Sequence, residues 1–319
     1  SSWAIIFDKF CKPPSMNQLI DYDKGGIQGC IVEEAGFSLK HIQDGYDYFD
    51  ETGYMMNGIY GGETMDNYFH DYFKFFNTYT RLQRDRMFLK LMKMMEPLFL
   101  GLKKMGEKKI IHNDIKPNNI VVHNGVFKYI DFGLAEMLSN KKHFQQRSLD
   151  EFRSGRIYIY YPLDYLFFYG GRSLYGELNN FQKRDNFNIF NKINQVLNNN
   201  NAYDIFSHVI DQIQNTKMSE GLMIKKIDVY SLGIIIPLLF LKISMVSSNL
   251  MNKFIYNIQE SELISSFFNL FKEMIHPLSR NRINANDAYK EFKKLLKKYQ
   301  SKGRRVVTKK GRRVVTKKG

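Results

Sequence analysis

Cysteine is nearly absent, with only Cys11 and Cys30 in 319 residues. Two thiols outside any metal-ligand spacing cannot staple so long a chain, which excludes a disulfide framework and a zinc centre. A reducing compartment, the cytoplasm, is the expected setting. Long apolar runs are missing too. The longest, Leu232 to Leu241, is interrupted by Pro237. A run of that length falls short of a bilayer and predicts a buried core helix, so no membrane partner is expected. The opening Ser1-Ser2-Trp3 shows no basic stretch leading into an apolar one, and no signal peptide is expected.

Apolar residues make up 44% of the chain, enough to build one large domain or two lobes sharing a cleft. The formal charge is +15, but the residues from Lys302 onward hold nine Lys or Arg and no acid, leaving +6 for the body. The basic excess therefore belongs to a tail and only weakly suggests a nucleic-acid partner. That tail, 301–319, is a tandem repeat, Gly303 to Lys310 and again Gly311 to Lys318. Its low apolar content predicts disorder.

The densest chemistry lies at His112-Asn113-Asp114-Ile115-Lys116-Pro117-Asn118-Asn119, followed after an alternating apolar run by Asp131-Phe132-Gly133. The run reads as two strands, 120–122 and 127–130, turned at Asn124-Gly125, a hairpin that folds the two loops toward each other. One loop offers a carboxylate and a lysine; an amide and a second carboxylate supply hard oxygen donors. Phosphoryl transfer uses these groups for proton acceptance, charge stabilisation and metal binding. Downstream, Asp228-Val229-Tyr230-Ser231-Leu232-Gly233 opens the apolar run. An aspartate in the first turn of a buried helix is placed to accept backbone N–H groups from a neighbouring loop.

In this order the segments resemble the signature set of eukaryotic-type Ser/Thr protein kinases, H-R-D-L-x-x-x-N followed by D-F-G. The resemblance implies an α+β, protein-kinase-like fold with a mainly helical large lobe. It implies transfer of the ATP γ-phosphoryl group to Ser/Thr hydroxyls of protein substrates. Asp114 would accept the hydroxyl proton, Lys116 would stabilise passing charge, and Asn119 and Asp131 would hold Mg²⁺ and ATP. His112 would pack beneath the loop. Pro162-Leu163-Asp164 resembles the family's A-P-E, which makes Arg282 the expected partner of Asp164, ahead of Arg280. Asn113 stands where many members carry an arginine that pairs with a phosphorylated segment, so activity is expected not to depend on such phosphorylation.

Departures from the family are equally specific. Upstream of residue 27 there is neither G-x-G-x-x-G nor V-A-I-K, so the small β lobe is expected to be truncated or degenerate. Residues 1–35 are read as its remnant and hinge, in which Val32, Glu33 and Ala35 would contact the nucleotide, with a strand at 27–33 and the crossing to the large lobe near 34–39. The large lobe spans 36–300. Residues 41–80, rich in Tyr and Phe, are expected to be an irregular insertion with one short helix near 65–76, packed on its own domain. A long helix is expected over 84–104. A second insertion, 165–226, is expected to carry helices at 187–197 and 203–213 on the surface, open to docking by a protein partner. The missing elements leave a pseudokinase scaffold as the alternative function. The insertions, with abundant Asn, Lys, Ile, Phe and Tyr, resemble divergent kinases of large DNA viruses, which would set the protein in a host cytoplasm or a virion.

Overall fold

The computed structural model describes residues 62–169, 178–198, 202–245 and 248–315, and two short strands upstream. The chain divides into two compact units, Ser1–Gly62 and Glu63–Gly319. In the first, β1 (Ile20–Asp21) and β2 (Tyr54–Met55) pair antiparallel. The strand expected at 27–33 and the crossing at 34–39 lie outside the described residues. The two units divide at Gly62, whose φ of 105° is open to glycine and little else.

The second unit begins with β3 (Glu63–Thr64) and α1 (Met65–Phe73). Thr64 Oγ1 accepts the Asn67 N–H and caps the helix. Met65, Tyr68, Phe69 and Phe73 are buried at helical spacing. The described part of the 41–80 segment is thus a strand, a core helix and a short helical turn at Phe76–Thr78. The expected short helix near 65–76 is α1. Helix α2 (Arg81–Glu107) follows, opened by a capping box in which Thr80 and Gln83 satisfy each other's backbone N–H. Its buried stripe of Phe88, Leu91, Met95, Leu98, Phe99 and Leu102 is the one legible in the sequence.

After α2 come β4 (Ile110–Ile111), β5 (Ile120–His123), β6 (Val126–Tyr129) and β7 (Glu136–Met137). Strands β3, β5 and β6 form one antiparallel sheet, with Ile120 opposite Tyr129 and Val122 opposite Phe127. Asn124 and Gly125, at φ 51° and 73°, make the tight turn that the Asn-Gly pair predicts. Strand β4 pairs with β7, tying the chain before His112 to the chain after Gly133.

The remainder is helical: α3 (Lys141–Arg153), α4 (Leu163–Phe168), α5 (Phe187–Asn198), α6 (Ala202–Asn215), α7 (Glu220–Lys225), α8 (Ile227–Ser244), α9 (Ser248–Glu260), α10 (Glu262–Met274) and α11 (Ala285–Val315). Helices α5 and α6 coincide with the two patterns expected in the second insertion. They are not a surface appendage, however. Phe181 stacks on Phe206 at 3.8 Å, Phe206 meets Phe167 edge-on, and Phe190, Val209 and Ile210 close the same buried cluster around Tyr161 and Tyr165. Each helix has one strongly apolar face, and burying it is what holds the insertion to the lobe.

Helix α8 is buried from Ile227 to Leu241, with Lys242 and Ile243 reaching the surface in its last turn. Residues Glu220–Ser244 are long and apolar enough to cross a membrane by length and composition, yet 89% of the most apolar window is buried inside the protein. Phe240 on α8 is ringed by Phe69, Phe73, Phe76, Phe88 and Phe254, all with centroids within 6 Å. The aromatics of the 63–80 stretch therefore build the core, as expected. Helix α11 packs on α2 through Phe99 and Phe292, stacked at 3.8 Å. It then continues to Val315, so most of the tail expected to be disordered is helical. Its Lys and Arg are good helix formers, and extending a helix needs no new nucleus.

Candidate active site

The 112–119 loop is fixed from below by α8. Asp228 in its first turn accepts the backbone N–H of His112 at 2.7 Å and of Asn113 at 2.9 Å. Burial pushes the Asp228 carboxyl up, against the pull of His112 and those two N–H groups. His112 is fully buried, with its ring 4.5 Å from that of Phe132. Its Nε2 lies 3.2 Å from the Ile130 carbonyl, which can only accept, so the proton sits on Nε2. Burial lowers the His112 pKa and keeps the ring neutral. His112 is thus a packing residue that ties the loop to the hairpin.

Asn113 adopts φ 62°, a left-handed conformation that Asn tolerates better than most residues. Its carbonyl accepts the Tyr161 hydroxyl at 2.6 Å, and Arg147 Nε on α3 donates to that hydroxyl at 3.2 Å. Arg147 also pairs with the buried Glu151 at 2.9 Å. Helix α3 was not visible in the sequence, and this brace on the loop was therefore missed. Ser148 on α3 is buried and donates to the Tyr165 carbonyl at 2.7 Å, so its hydroxyl is inaccessible to a modifying enzyme in this fold.

Among the expected site residues, Asp114, Lys116 and Asn119 are brought together. Asp114 Oδ2 accepts Lys116 Nζ at 2.8 Å and Asn119 Nδ2 at 2.7 Å; Asn119 Nδ2 also reaches the Asp114 carbonyl at 3.0 Å. A fourth group, Tyr158, donates its hydroxyl to Asp114 Oδ1 at 2.8 Å. Tyr158 was not singled out from sequence, because nothing in Ile157-Tyr158-Ile159-Tyr160-Tyr161 marks one tyrosine over the others. Burial, then the Asp114 charge, pushes its phenol well up, so it remains a donor.

The hairpin positions Asp131. Ile130 N–H donates to the Asn119 carbonyl at 3.0 Å, closing the open end of β5 and β6 beside Asn119. Asp131 follows at φ 57° with an exposed side chain, and its Oδ1 accepts the Gly133 N–H at 3.3 Å. With Asn119 Nδ2 committed to Asp114, its Oδ1 is left as an oxygen donor. One amide oxygen and one carboxylate suit Mg²⁺, which is held by one or two protein oxygens plus phosphate and water. No cluster of three acidic, His or Cys ligands occurs among the described residues. Val32, Glu33 and Ala35 lie outside the described residues.

The protein kinase domain, compared as a family, matches residues 41–158, a range that holds His112, Asp114, Lys116, Asn119, Asp131 and Tyr158 but not Asp228 or Tyr161. That stretch of the chain is similar to a protein kinase domain. A stretch of 44 residues is 48% identical to the MAP kinase kinase kinase SSK2 of Saccharomyces cerevisiae, covering 14% of this chain. The chain spans 3% of the length of that relative. The matched range includes residues 41–80. Beyond the matched range, the Asp164 carboxylate meets Arg282 at 3.0 Å, both side chains fully buried. Arg282, not Arg280, is the partner. Arg280 donates instead to Gln212 on α6.

Proposed function

We propose that this chain transfers the γ-phosphoryl group of ATP to Ser or Thr hydroxyls of protein substrates. The observation that carries the reading is the Asp114 carboxylate, oriented by Lys116 and Asn119 on one oxygen and holding a hydroxyl on the other. A carboxylate that holds a hydroxyl at hydrogen-bond distance is placed to take its proton. Lys116 Nζ, bound to the same carboxylate, brings positive charge to the point where the acceptor oxygen gains its bond to phosphorus. Asn119 Oδ1 and the Asp131 carboxylate would hold Mg²⁺, and bound Mg-ATP would supply the phosphoryl group and neutralise charge on its oxygens. Asp228 keeps the loop in register by holding two of its amides. Lys116-Pro117 after Asp114 favours Ser/Thr acceptors over Tyr.

The alternative of a scaffold that binds partners through its insertions has less support. The described helices of the 165–226 segment spend their apolar faces on the domain's own core. The test is ATP turnover on dephosphorylated casein, with Mg-ATP binding measured in parallel, for this chain and for any longer form carrying preceding sequence. Asp114→Asn is expected to lower kcat by about 10²-fold or more while leaving nucleotide binding intact. Asp131→Asn is expected to weaken Mg-ATP binding itself. A chain that binds no Mg-ATP in either form would sink the enzyme reading.

A further inference from the structure

The Tyr158 hydroxyl sits on the one oxygen of Asp114 that an acceptor can use. Each carboxylate oxygen accepts about two hydrogen bonds. Oδ2 already takes Lys116 Nζ and Asn119 Nδ2, at 2.8 and 2.7 Å. A substrate hydroxyl must therefore come to Oδ1, where Tyr158 is bound at 2.8 Å. Asp114 does not need Tyr158 for its orientation, because Asn119 and Lys116 fix it and Asn119 also holds its carbonyl.

The segment bearing Tyr158 is clamped from the second insertion. Ile157 donates its N–H to the Asp185 carbonyl at 2.9 Å, and its carbonyl accepts Asn186 Nδ2 at 3.1 Å. Asn186 makes this turn at φ 67°. On its other side the Tyr158 ring packs edge-on against Tyr161 at 4.7 Å. The insertion thus holds the residue before Tyr158 by both of its backbone polar groups.

We propose that Tyr158 is an internal stand-in for the acceptor: its hydroxyl occupies the acceptor's place on Asp114, the 185–186 turn keeps it there, and a protein substrate engages Asp114 by displacing it. The inference rests on the proposed phosphotransfer at Asp114. It gives the second insertion a role in setting how readily acceptors enter, and it leaves the nucleotide's affinity untouched.

The experiment compares the full chain with Tyr158→Phe and with Asn186→Gly, which removes the clamping amide but permits the left-handed backbone. Steady-state phosphorylation of dephosphorylated casein is measured alongside Mg-ATP affinity. A hydroxyl lost from a charged partner predicts that KM for casein falls about tenfold in Tyr158→Phe. The KM for ATP stays constant, and Asn186→Gly shifts in the same direction by less. If the parent is silent, turnover appearing in either variant supports the proposal. A fall in kcat at unchanged casein KM would make Tyr158 a positioning residue and overturn it. So would a phosphate found on Tyr158 by mass mapping, which would make it an acceptor. Mg-ATP binding without any gain in either variant overturns the stand-in alone, whereas absent Mg-ATP binding removes the phosphotransfer reading beneath it.

Discussion

Replacing Arg282 by Met is the perturbation that most directly tests how the large lobe is held. The Arg282 guanidinium pairs with Asp164 at 3.0 Å and donates to the carbonyls of His276, Pro277 and Lys226 at 2.8, 3.1 and 3.3 Å. Asp164 in turn accepts the N–H groups of Tyr165 and Ser279. Both side chains are fully buried, so removing the cation leaves an anion with no bulk water to receive it. Breaking one partner of such a pair costs about 3–5 kcal/mol. Lys226, whose ammonium donates to the Ser279 and Arg282 carbonyls, remains nearby and pulls the figure toward the lower end. At about 2–4 °C per kcal/mol for a domain of this size, Tm should fall by roughly 6–20 °C.

Urea and thermal unfolding followed by far-UV circular dichroism is the suitable assay. The single tryptophan, Trp3, lies outside the described residues, so fluorescence is not the readout chosen. Adding Asp164→Asn to Arg282→Met removes the stranded charge, so the double variant should regain at least about 1 kcal/mol over simple additivity. A loss below about 1 kcal/mol for Arg282→Met, or strict additivity in the double variant, would refute the reasoning.

Gly233→Ala sets helix propensity against space: alanine gains about 1 kcal/mol in a helix interior. The new Cβ, however, would lie 2.5 Å from Met274 Cβ and 3.2 Å from Ile275 Cγ2, neither at the end of a flexible chain. Sterics win, and a net loss of about 1–3 kcal/mol is expected by the same unfolding assay; a stabilised variant would contradict the packing. The pH dependence follows from His112, whose folded pKa lies below the ordinary 6.5 because it is buried. The unfolded chain then binds the proton more readily, so this contribution is complete above pH 6.5 and is lost as pH falls below it. The loss is up to about 1.4 kcal/mol per pH unit. His276, also lowered by burial and then by Arg282, acts in the same direction. Tm should therefore drop between pH 7.5 and 5.5, and His112→Gln should flatten that slope; equal slopes would show that His112 does not carry it.

What the sequence made legible was the part governed by short-range chemistry. The Asn124-Gly125 turn, the alternating strands around it and the Phe88-to-Leu102 stripe all carry strong local signals, and each stands where the pattern put it. The Asp164–Arg282 pair was reachable through the family resemblance, since 118 residues separate the partners and no local pattern links them. Helix α3 was not legible. It buries only Phe144, Ser148 and Glu151, so it shows no apolar period and reads as a polar linker. In residues 63–80 the short helix was legible but its faces were not, because aromatics lie on several of them, with Tyr72 and Phe75 exposed. Tyr158 lay beyond any local reading, because its partner is 44 positions away.

The β5–β6 hairpin has one more implication, concerning where this chain can change length. Asn119 and Asp131 flank a ladder of four residue pairs closed by a two-residue turn, so their separation is counted out in register. Adding or deleting one residue in either strand would rotate Phe127 from the core to the outside and carry Asp131 off its mark. The 165–226 segment, by contrast, accommodates extra helices by packing them against its neighbours. The chain is therefore elastic in one place and metered in another, and the metered stretch is the one that spaces its two oxygen donors.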